Sequence, residues 1–390
     1  MGIFSKPKNE KKLALVFDIG SSSVGGAVFE IDKSEIPNII LSIRESIIIE
    51  DKINADRFLS LTLKSLDKVA SKICAAGVGE LSRIFCVLSS PWYASQTRII
   101  KLEKNVPFLF TLKLADSLIK KEISLFEEEH LTKFSNEDDK IRPIEFKTMK
   151  ILLNGYMTPD PYNQKAKKLE MAVFVSMSGD RILKKIEDTI CDHFHTKDVK
   201  FSSFAIASYT VALDMFLQED FLLVDICGEV TDISMIKKDI LTNSASYPLG
   251  RNFMIRKVAK SLNCSLSEAK TYISLYKDGH AEKHIEEKLR PIIDKLKIEW
   301  LEGFQKSLAN LSSDVSIPST VFVTVDQDLE NFFGDIIKTE QFSQYTLTES
   351  EFRIIFLNAE ILYGTASFKD NISRDPFLTI ESVYISRFIC

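Results

Sequence analysis

The residues best suited to chemistry lie in a short polar turn, Asp18-Ile19-Gly20-Ser21-Ser22-Ser23. The turn separates two apolar runs, 13–17 and 24–31, so we predict a hairpin of two buried strands. Such a turn directs several backbone N–H groups at one small volume, which suits phosphate oxygens. The carboxylate of Asp18, at the end of the first strand, could hold Mg²⁺ through water. The alternative is an ordinary hairpin whose turn begins with Asp.

The same arrangement returns in the second half of the chain. Apolar residues 221–224 lead into a turn and apolar residues 233–236 lead out of it, and the turn reads Asp225-Ile226-Cys227-Gly228-Glu229-Val230-Thr231-Asp232. A strand, a glycine-containing turn that opens with Asp-Ile, and a second strand thus occur twice, which indicates an internal repeat. The repeat favours a functional role for both turns.

Hydrophobic periodicity predicts the elements that position the two turns. Spacing near 3.6 residues predicts helices at 54–76, 113–126, 179–193, 204–216, 350–363 and 378–388, and a largely helical stretch at 254–311. Apolar and β-branched runs predict strands at 39–49, 84–88, 169–177 and 319–325. The segment from about 92 to 177 alternates strand-like pieces with one amphipathic helix. We therefore expect a small α+β unit inserted into the first half of the chain.

Composition excludes several classes of protein. The 50 Lys+Arg and 55 Asp+Glu residues give a formal net charge of −5, which argues against a nucleic-acid binder. The six cysteines lie far apart and form no C-x-x-C pair, so we expect reduced thiols. No apolar run approaches the ~18 residues of a membrane span, and the N-terminus has no signal-peptide pattern. We expect a cytoplasmic protein.

The sequence contains none of the common catalytic arrangements. A Gly-x-Ser-x-Gly elbow, a Walker A loop and a His-Glu-x-x-His pair are all missing. His280 and His284 are four residues apart on a predicted helix, but neighbouring Glu and Lys residues indicate a solvated face rather than a metal site. The residues by themselves therefore indicate no catalytic centre.

The two turns carry a resemblance to a known family. Residues 18–24 resemble the first phosphate motif of the actin-like ATPase fold, in the form seen in FtsA and PilM proteins, and residues 221–233 resemble the second. Residues 247–252, Tyr-Pro-Leu-Gly-Arg-Asn, are similar to the segment that opens the family's fourth subdomain. The inserted unit lies where FtsA and PilM carry a small SHS2-like domain. The resemblance implies an α/β, actin-like (ribonuclease H-like, duplicated) two-domain fold with a small inserted α+β domain.

The resemblance also implies a division of the chain. The expected parts are domain I, interrupted by the insertion, and domain II, which carries a helical subdomain. Their expected bounds are 11–91 and 179–218 for domain I, 92–178 for the insertion, 219–250 and 312–390 for domain II, and 251–311 for the helical subdomain.

A nucleotide site between the two domains follows from the same resemblance. It implies that ATP and Mg²⁺ bind in the cleft where the turns meet. From the first turn, Asp18, Gly20, Ser21 and Ser22 would contact phosphate or metal. Gly228 and Thr231 would approach from the other side. Asp225 would lie near the metal, so Asp18 and Asp225 would hold Mg²⁺ through water.

The sequence departs from the family at three places that concern the nucleotide. In the second turn three positions that usually carry Gly or Thr carry other residues, the adenosine segment lacks its Gly-Gly pair, and the helix toward the ribose lacks its Glu-x-x-Lys pair. The residues found there are Cys227, Glu229 and Val230; Asp326-Gln327-Asp328; and Lys270 with Ile273. A carboxylate at Glu229 would repel a polyphosphate. We therefore expect at most a weak ATPase.

The function implied by the resemblance is that of a cytoplasmic scaffold or adaptor of a membrane-associated machine, as PilM is in type IV pilus assembly. The end of the chain leaves too little sequence for an amphipathic membrane anchor. We therefore expect association with the inner face of the membrane through a partner, such as the cytoplasmic tail of a membrane protein, and no nucleic acid.

Two alternatives stay open. An FtsA-like cell-division protein would self-associate into polymers and recruit a tubulin-like cytoskeletal filament, and residues 231–233, Thr-Asp-Ile, are similar to FtsA. An active ATPase or kinase of the same fold is the more distant alternative, since no carboxylate stands out as a catalytic base. Fold alone does not decide among them.

Overall fold

The computed structural model describes residues 12–31, 36–131, 140–195, 198–312, 316–338 and 352–389. Within these residues the strands form three sheets. The strands of the first sheet are β1 (Lys12–Ile19), β2 (Ser23–Ile31), β3 (Asn38–Ser46), β4 (Leu81–Leu88), β9 (Val199–Ser203) and β15 (Ser367–Phe368). Those of the inserted sheet are β5 (Ala94–Phe110), β6 (Ile141–Leu153), β7 (Tyr156–Met157) and β8 (Gln164–Gly179). Those of the second sheet are β10 (Phe221–Ile226), β11 (Thr231–Lys237), β12 (Ile240–Tyr247), β13 (Thr320–Thr324) and β14 (Arg353–Phe356).

The described helices cover the faces of these sheets. They are α1 (Ala55–Ala75), α2 (Leu112–Leu131), α3 (Asp180–Phe194), α4 (Phe204–Phe216), α5 (Arg251–Leu262), α6 (Leu266–Lys277), α7 (Lys283–Leu311), α8 (Glu330–Lys338) and α9 (Pro376–Tyr384). A short 3-10 helix (Gln327–Leu329) precedes α8, and a π-helical turn (Ile385–Ile389) follows α9.

The internal repeat is visible in the topology of the two larger sheets. In the first sheet, β1 pairs antiparallel with β2 and parallel with β4, and the strand order is β15-β3-β2-β1-β4-β9. In the second sheet, β10 pairs antiparallel with β11 and parallel with β13, and the order is β12-β11-β10-β13-β14. Each polar turn therefore leaves the carboxyl end of a central strand, and both predicted hairpins are confirmed.

Alternation along β1 divides the core into layers. Leu15, Phe17 and Ile19 pack with α1 and α3 on one face of the first sheet. Ala14 and Val16 face the other way, into a cluster that also holds residues of α4, α9 and the second sheet. Successive side chains of a strand point to opposite faces, so a continuous apolar run such as 13–17 produces a sheet covered on both sides. The helices α4 and α9 thus lie between the two sheets.

Most predicted elements are confirmed within one to five residues. The helix expected at 54–76 is α1, and it is preceded by Asn54, whose side chain caps it by accepting a hydrogen bond from the backbone N–H of Arg57. The inserted unit is α+β as predicted, with the strand order β5-β8-β6-β7 and α2 packed on the sheet.

The end of the chain differs from the expectation. A helix was expected at 350–363, of which residues 350 and 351 lie outside the described part. The structure has strand β14 and turns there instead, because residues 353–356 pair with β13 and that pairing overrides the local periodicity. We also expected residues 312–390 in domain II, whereas β15 pairs with β3 and α9 packs against β1. The division into domains otherwise stays a prediction.

Glu145 on β6 joins the inserted sheet to the body of the protein. Its carboxylate accepts hydrogen bonds from the backbone N–H of Ser203 (2.9 Å), the Ser203 hydroxyl (2.6 Å) and the Ser202 hydroxyl (2.5 Å), just before α4 begins. Burial raises the pKa of Glu145, and the hydrogen bonds from Ser202 and Ser203 oppose that rise. One side chain of the insertion thus satisfies the first polar groups of a central helix.

We expect Glu145→Ala to lower the free energy of unfolding by about 2–3 kcal/mol, because it leaves the polar groups of Ser202 and Ser203 without their acceptor. Glu170→Ala, the same substitution at an exposed position of β8, should cost less than about 0.5 kcal/mol. Urea denaturation of the two variants measures this. Equal losses would contradict the role assigned to Glu145.

Candidate functional site

The two polar turns touch each other directly. A Cβ atom placed on Gly228 would lie 2.5 Å from the carbonyl oxygen of Ser21 and 2.7 Å from the nitrogen of Ser22. The backbone N–H of Glu229 donates to the hydroxyl of Ser21 at 3.1 Å, and Ser21 is 1% exposed. The structure therefore brings Ser21, Ser22 and Gly228 together, as the resemblance implied, whereas their binding of nucleotide stays a prediction. It leaves no space for a phosphate group between them.

The first turn is held by bonds within its own half. The N–H of Gly20 donates to the carbonyl of Ser23 (3.1 Å), and the indole N–H of Trp92 donates to the carbonyl of Gly20 (3.0 Å). The carbonyl of Ser22 accepts from the N–H of Ile47 (2.9 Å). The amide of Gly20 is thus already used inside the turn rather than directed at a ligand.

Asp18 is paired with an arginine that sequence reasoning missed. Its carboxylate is 2% exposed, and one oxygen lies 2.8 Å from Nη1 of Arg44 on β3. The same guanidinium donates to the Ser23 hydroxyl (2.9 Å) and forms a two-point ion pair with Asp375, the capping residue of α9. The sequence does show an arginine within the apolar run 39–49, but its contact with Asp18 is visible only in the folded sheet.

A second carboxyl group, Glu381 on α9, lies beside this ion pair. Glu381 is fully buried, and neither of its oxygens has a hydrogen-bond partner of good geometry. Burial, with the charge of Asp18 as the next cause, raises the pKa of Glu381 well above its usual range. Burial also raises the pKa of Asp18, while Arg44 opposes that rise. Burial therefore favours the protonated form of Glu381, whereas Arg44 favours the ionised form of Asp18.

The predicted site residues Asp225 and Thr231 of the second turn lie in two separate environments. Asp225 accepts hydrogen bonds from the hydroxyl of Thr324 (2.7 Å) and the thiol of Cys227 (3.1 Å). Thr231 is fully buried in the core of the second half, where it donates to the carbonyl of Leu249 (2.7 Å) and accepts from the indole N–H of Trp300 (3.2 Å). The structure therefore does not bring Thr231 to the contact between the turns.

Glu229, expected to repel a polyphosphate, is instead neutralised by an arginine. Arg256 on α5 contacts both oxygens of the Glu229 carboxylate, at 2.6 and 2.7 Å, and the amide of Asn252 donates to it at 2.9 Å. Arg256 also donates to the carbonyl of Glu50, in the first half of the chain, at 2.7 Å. This partly buried arginine thus links the second turn to the first half. Sequence reasoning gave no role to Arg256.

A cavity of about 510 Å³ lies beside the contact between the turns. Its lining includes Ser22, Arg44, Arg251, Lys270 and Asp328, so it contains the segment expected to hold adenosine. Such a volume is within the range of small-molecule sites. Arg251 forms an ion pair with Asp326 at its edge.

The described residues do not fit the magnesium nucleotide that the resemblance implies. Asp18 is bound by Arg44, Asp225 is bound by neutral donors, and the turns leave no phosphate-sized gap. Among the described residues, no group of three or more His, Cys, Asp or Glu side chains could hold a metal ion. The cleft is closed by groups of the protein itself.

Comparison with known proteins establishes the fold. No protein-family model matches the chain, and no curated protein matches it. A solved "PilM-PilN type IV pilus biogenesis complex" is similar over 96% of both chains, at 13% identity and a TM-score of 0.59. The chain therefore has the predicted actin-like fold.

Two further solved structures have lower scores. The ethanolamine utilization protein EutJ from Carboxydothermus hydrogenoformans is 13% identical, at a TM-score of 0.43 over 98% of this chain and 92% of that one. A protein of Bacteroides thetaiotaomicron described as having an actin-like ATPase fold is 9% identical, at a TM-score of 0.40 over 89% of this chain and 91% of that one.

We expect Gly228→Ala to lower the free energy of unfolding by about 1–3 kcal/mol, because the added methyl group would overlap the backbone of Ser21 and Ser22. Gly179→Ala is the matched control, since the nearest atom to its added methyl group lies at 3.6 Å. Urea denaturation of the two variants measures the difference. A Gly228→Ala protein as stable as the control would contradict direct contact between the turns.

The pKa of Asp225 predicts a dependence of stability on pH. Burial, and then the neighbouring Asp232, raises the pKa of Asp225 from 3.8 to about 7 in the folded protein, while Cys227 and Thr324 oppose the rise and Asp18 adds to it. A raised carboxyl pKa means that folding takes up a proton between these two values. The contribution of Asp225 to stability therefore falls as pH rises from about 4 to about 7.

Asp225→Asn cannot ionise, so its stability relative to wild type should increase over that same range of pH. Each pKa unit corresponds to about 1.4 kcal/mol, and we expect a gain of roughly 2 kcal/mol or more. Urea denaturation of both proteins at pH 4, 5.5 and 7.5 (values chosen to span about 4 to 7) measures it. A difference that is constant across these conditions would exclude the raised pKa.

Proposed function

We propose that the protein is an actin-like scaffold or adaptor of a membrane-associated machine, with a role similar to that of PilM in type IV pilus assembly. The observation that carries this proposal is the direct contact of Gly228 with Ser21 and Ser22, which closes the cleft without a ligand. An enzyme of this fold needs that space for its substrate. A scaffold needs only a stable shape.

The likeness to the PilM-PilN complex supports the same proposal. It extends over 96% of both chains, so the inserted unit is part of it. We take residues 92–178 as an inserted domain that docks a partner. Glu145 and its bonds to Ser202 and Ser203 hold this domain at one angle on the body. A docking surface held in this way costs little conformational entropy on binding.

In this proposal the predicted site residues are architectural. Asp18, Gly20, Ser21, Ser22, Asp225, Gly228 and Thr231 build the two turns and their supports. The closed contact leaves no position for an attacking water beside a terminal phosphate, so we expect little or no hydrolysis of ATP. The cavity beside Arg44 and Lys270 is a place where a small anionic ligand could bind.

The proposed partner is the cytoplasmic tail of a membrane protein. Among the described helices, none combines the length and apolar composition needed to cross a bilayer. We therefore propose that the protein reaches the inner face of the membrane through this partner, without inserting into lipid.

Fractionation of native cells, combined with vesicle sedimentation of the purified protein, tests the proposal. We expect the protein in the membrane fraction of cells, its release by an alkaline wash, and no sedimentation with protein-free vesicles containing anionic lipid. A protein found only in the soluble fraction would contradict the adaptor role. Filaments on vesicles would favour an FtsA-like role, and steady-state release of phosphate from ATP would favour an enzyme.

A further inference from the structure

We propose that the guanidinium of Arg44 occupies the place that a divalent metal ion would take at Asp18, so that the closed cleft needs neither metal nor nucleotide. This inference concerns how the cleft is closed and does not depend on which partner the protein binds. It follows from the geometry of the guanidinium, from the space reserved for it, and from its place beneath the contact between the turns.

The guanidinium of Arg44 has an oxygen partner on each side. Nη1 lies 2.8 Å from Asp18 and 2.9 Å from the Ser23 hydroxyl, while Nη2 lies 3.0 Å from Asp375, which Nε also contacts. A planar fork of five N–H donors suits such a set of oxygens better than the point charge of lysine. Two carboxylates and a hydroxyl are also ligands that a hard divalent cation prefers.

The surroundings of Arg44 are shaped to its side chain. A Cβ atom on Gly25 would lie 2.8 Å from Nη2 and 3.0 Å from Cζ, so only glycine leaves room for the guanidinium there. The ring of Phe377 covers the guanidinium, with its centroid 5.4 Å from Cζ. An aromatic face attracts a cation, and more strongly where the cation is partly shielded from water, as Arg44 is. Gly25 on β2 and Phe377 on α9 therefore complete a site for one arginine.

Arg44 connects this site to the contact between the turns. Asp18 and Ser23 stand on either side of the turn residues Ser21 and Ser22, which touch Gly228. By binding both Asp18 and Ser23, the guanidinium fixes the shape of the first turn. Asp375 caps α9 by accepting from the N–H of Leu378 at 3.1 Å, so the same cation also ties α9 to the sheet.

A metal ion and Arg44 cannot share these oxygens. Mg²⁺ requires close oxygen ligands in octahedral geometry, and a second positive charge at the buried carboxylate of Asp18, within ~4 Å of the guanidinium, would be repelled by it. The structure therefore replaces an exchangeable cation by a covalently attached one. A cation that is part of the chain cannot leave when nucleotide is scarce, so closure becomes permanent.

Thermal unfolding and calorimetry with MgCl₂ and with Mg-ATP test this inference on the full chain. For wild type we expect no detectable binding and a Tm change below about 1 °C at ~10 mM ligand. Arg44→Ala should lower Tm by roughly 5–10 °C, because it leaves the buried Asp18 and the partly buried Asp375 without a counter-charge. MgCl₂ should then restore part of that loss in the variant alone.

Arg353→Ala, the same substitution at an exposed position of β14, is the matched control and should change Tm by less than about 2 °C. Arg44→Lys keeps the charge without the fork, so we expect a smaller loss than in Arg44→Ala and no response to MgCl₂.

Three results would overturn the inference. Stabilisation of wild type by MgCl₂ or Mg-ATP would show that a metal binds while Arg44 is in place. This measurement on wild type tests the inference even if Arg44→Ala does not fold. A loss in Arg44→Ala no larger than in the control would remove the structural role. A folded Arg44→Ala without a response to MgCl₂ would exclude competition for the same oxygens. None of these results bears on membrane fractionation, so the proposed function is tested separately.

Discussion

A buried carboxylate is tolerated only when a counter-charge or a proton compensates for its lost hydration, and this requirement governs the place where the two halves meet. Asp18 and Glu229 are 2% and 6% exposed there, and each is paired with an arginine from outside its own turn. At Glu381, which has no such partner, burial raises the pKa and so favours the protonated form. Because these charges are balanced within the protein, the backbones of the two turns can pack against each other. In an actin-like fold that binds nucleotide, metal and phosphate would occupy this place.

The duplicated topology explains why two turns meet at all. Each turn leaves the carboxyl end of a central strand that pairs antiparallel with the next strand and parallel with a third. The helices α4 and α9 lie between the sheets and pack against both of them, so the sheet edges that carry the two turns stay next to each other. Asp375 and Glu381 on α9 reach the first turn from this layer, and Glu145 attaches the inserted sheet to the start of α4. One central layer thus fixes the cleft and the insertion together.

The sequence was sufficient for the repeat, because continuous apolar runs that end in Asp-Ile and a glycine-containing turn specify buried strands and their turns locally. It was not sufficient for Arg44 and Arg256, which lie 26 and 27 residues along the chain from Asp18 and Glu229 and reach them only in the folded protein. The helix expected at 350–363 was wrong for a related reason: β14 takes its conformation from its neighbour β13. Local sequence patterns predicted the positions of the turns, whereas contacts with residues distant in the chain determine which charges surround them.

The central claim is that the cleft is closed by the protein's own contacts. Amide hydrogen exchange of the ligand-free protein tests it most directly, read at the N–H groups of Gly20 and Glu229, which donate to Ser23 and Ser21. We predict slow exchange at both amides without nucleotide, and the same rates after Mg-ATP is added. Fast exchange in the ligand-free protein that becomes slow with Mg-ATP would contradict the account, because it would show a cleft that opens and waits for nucleotide.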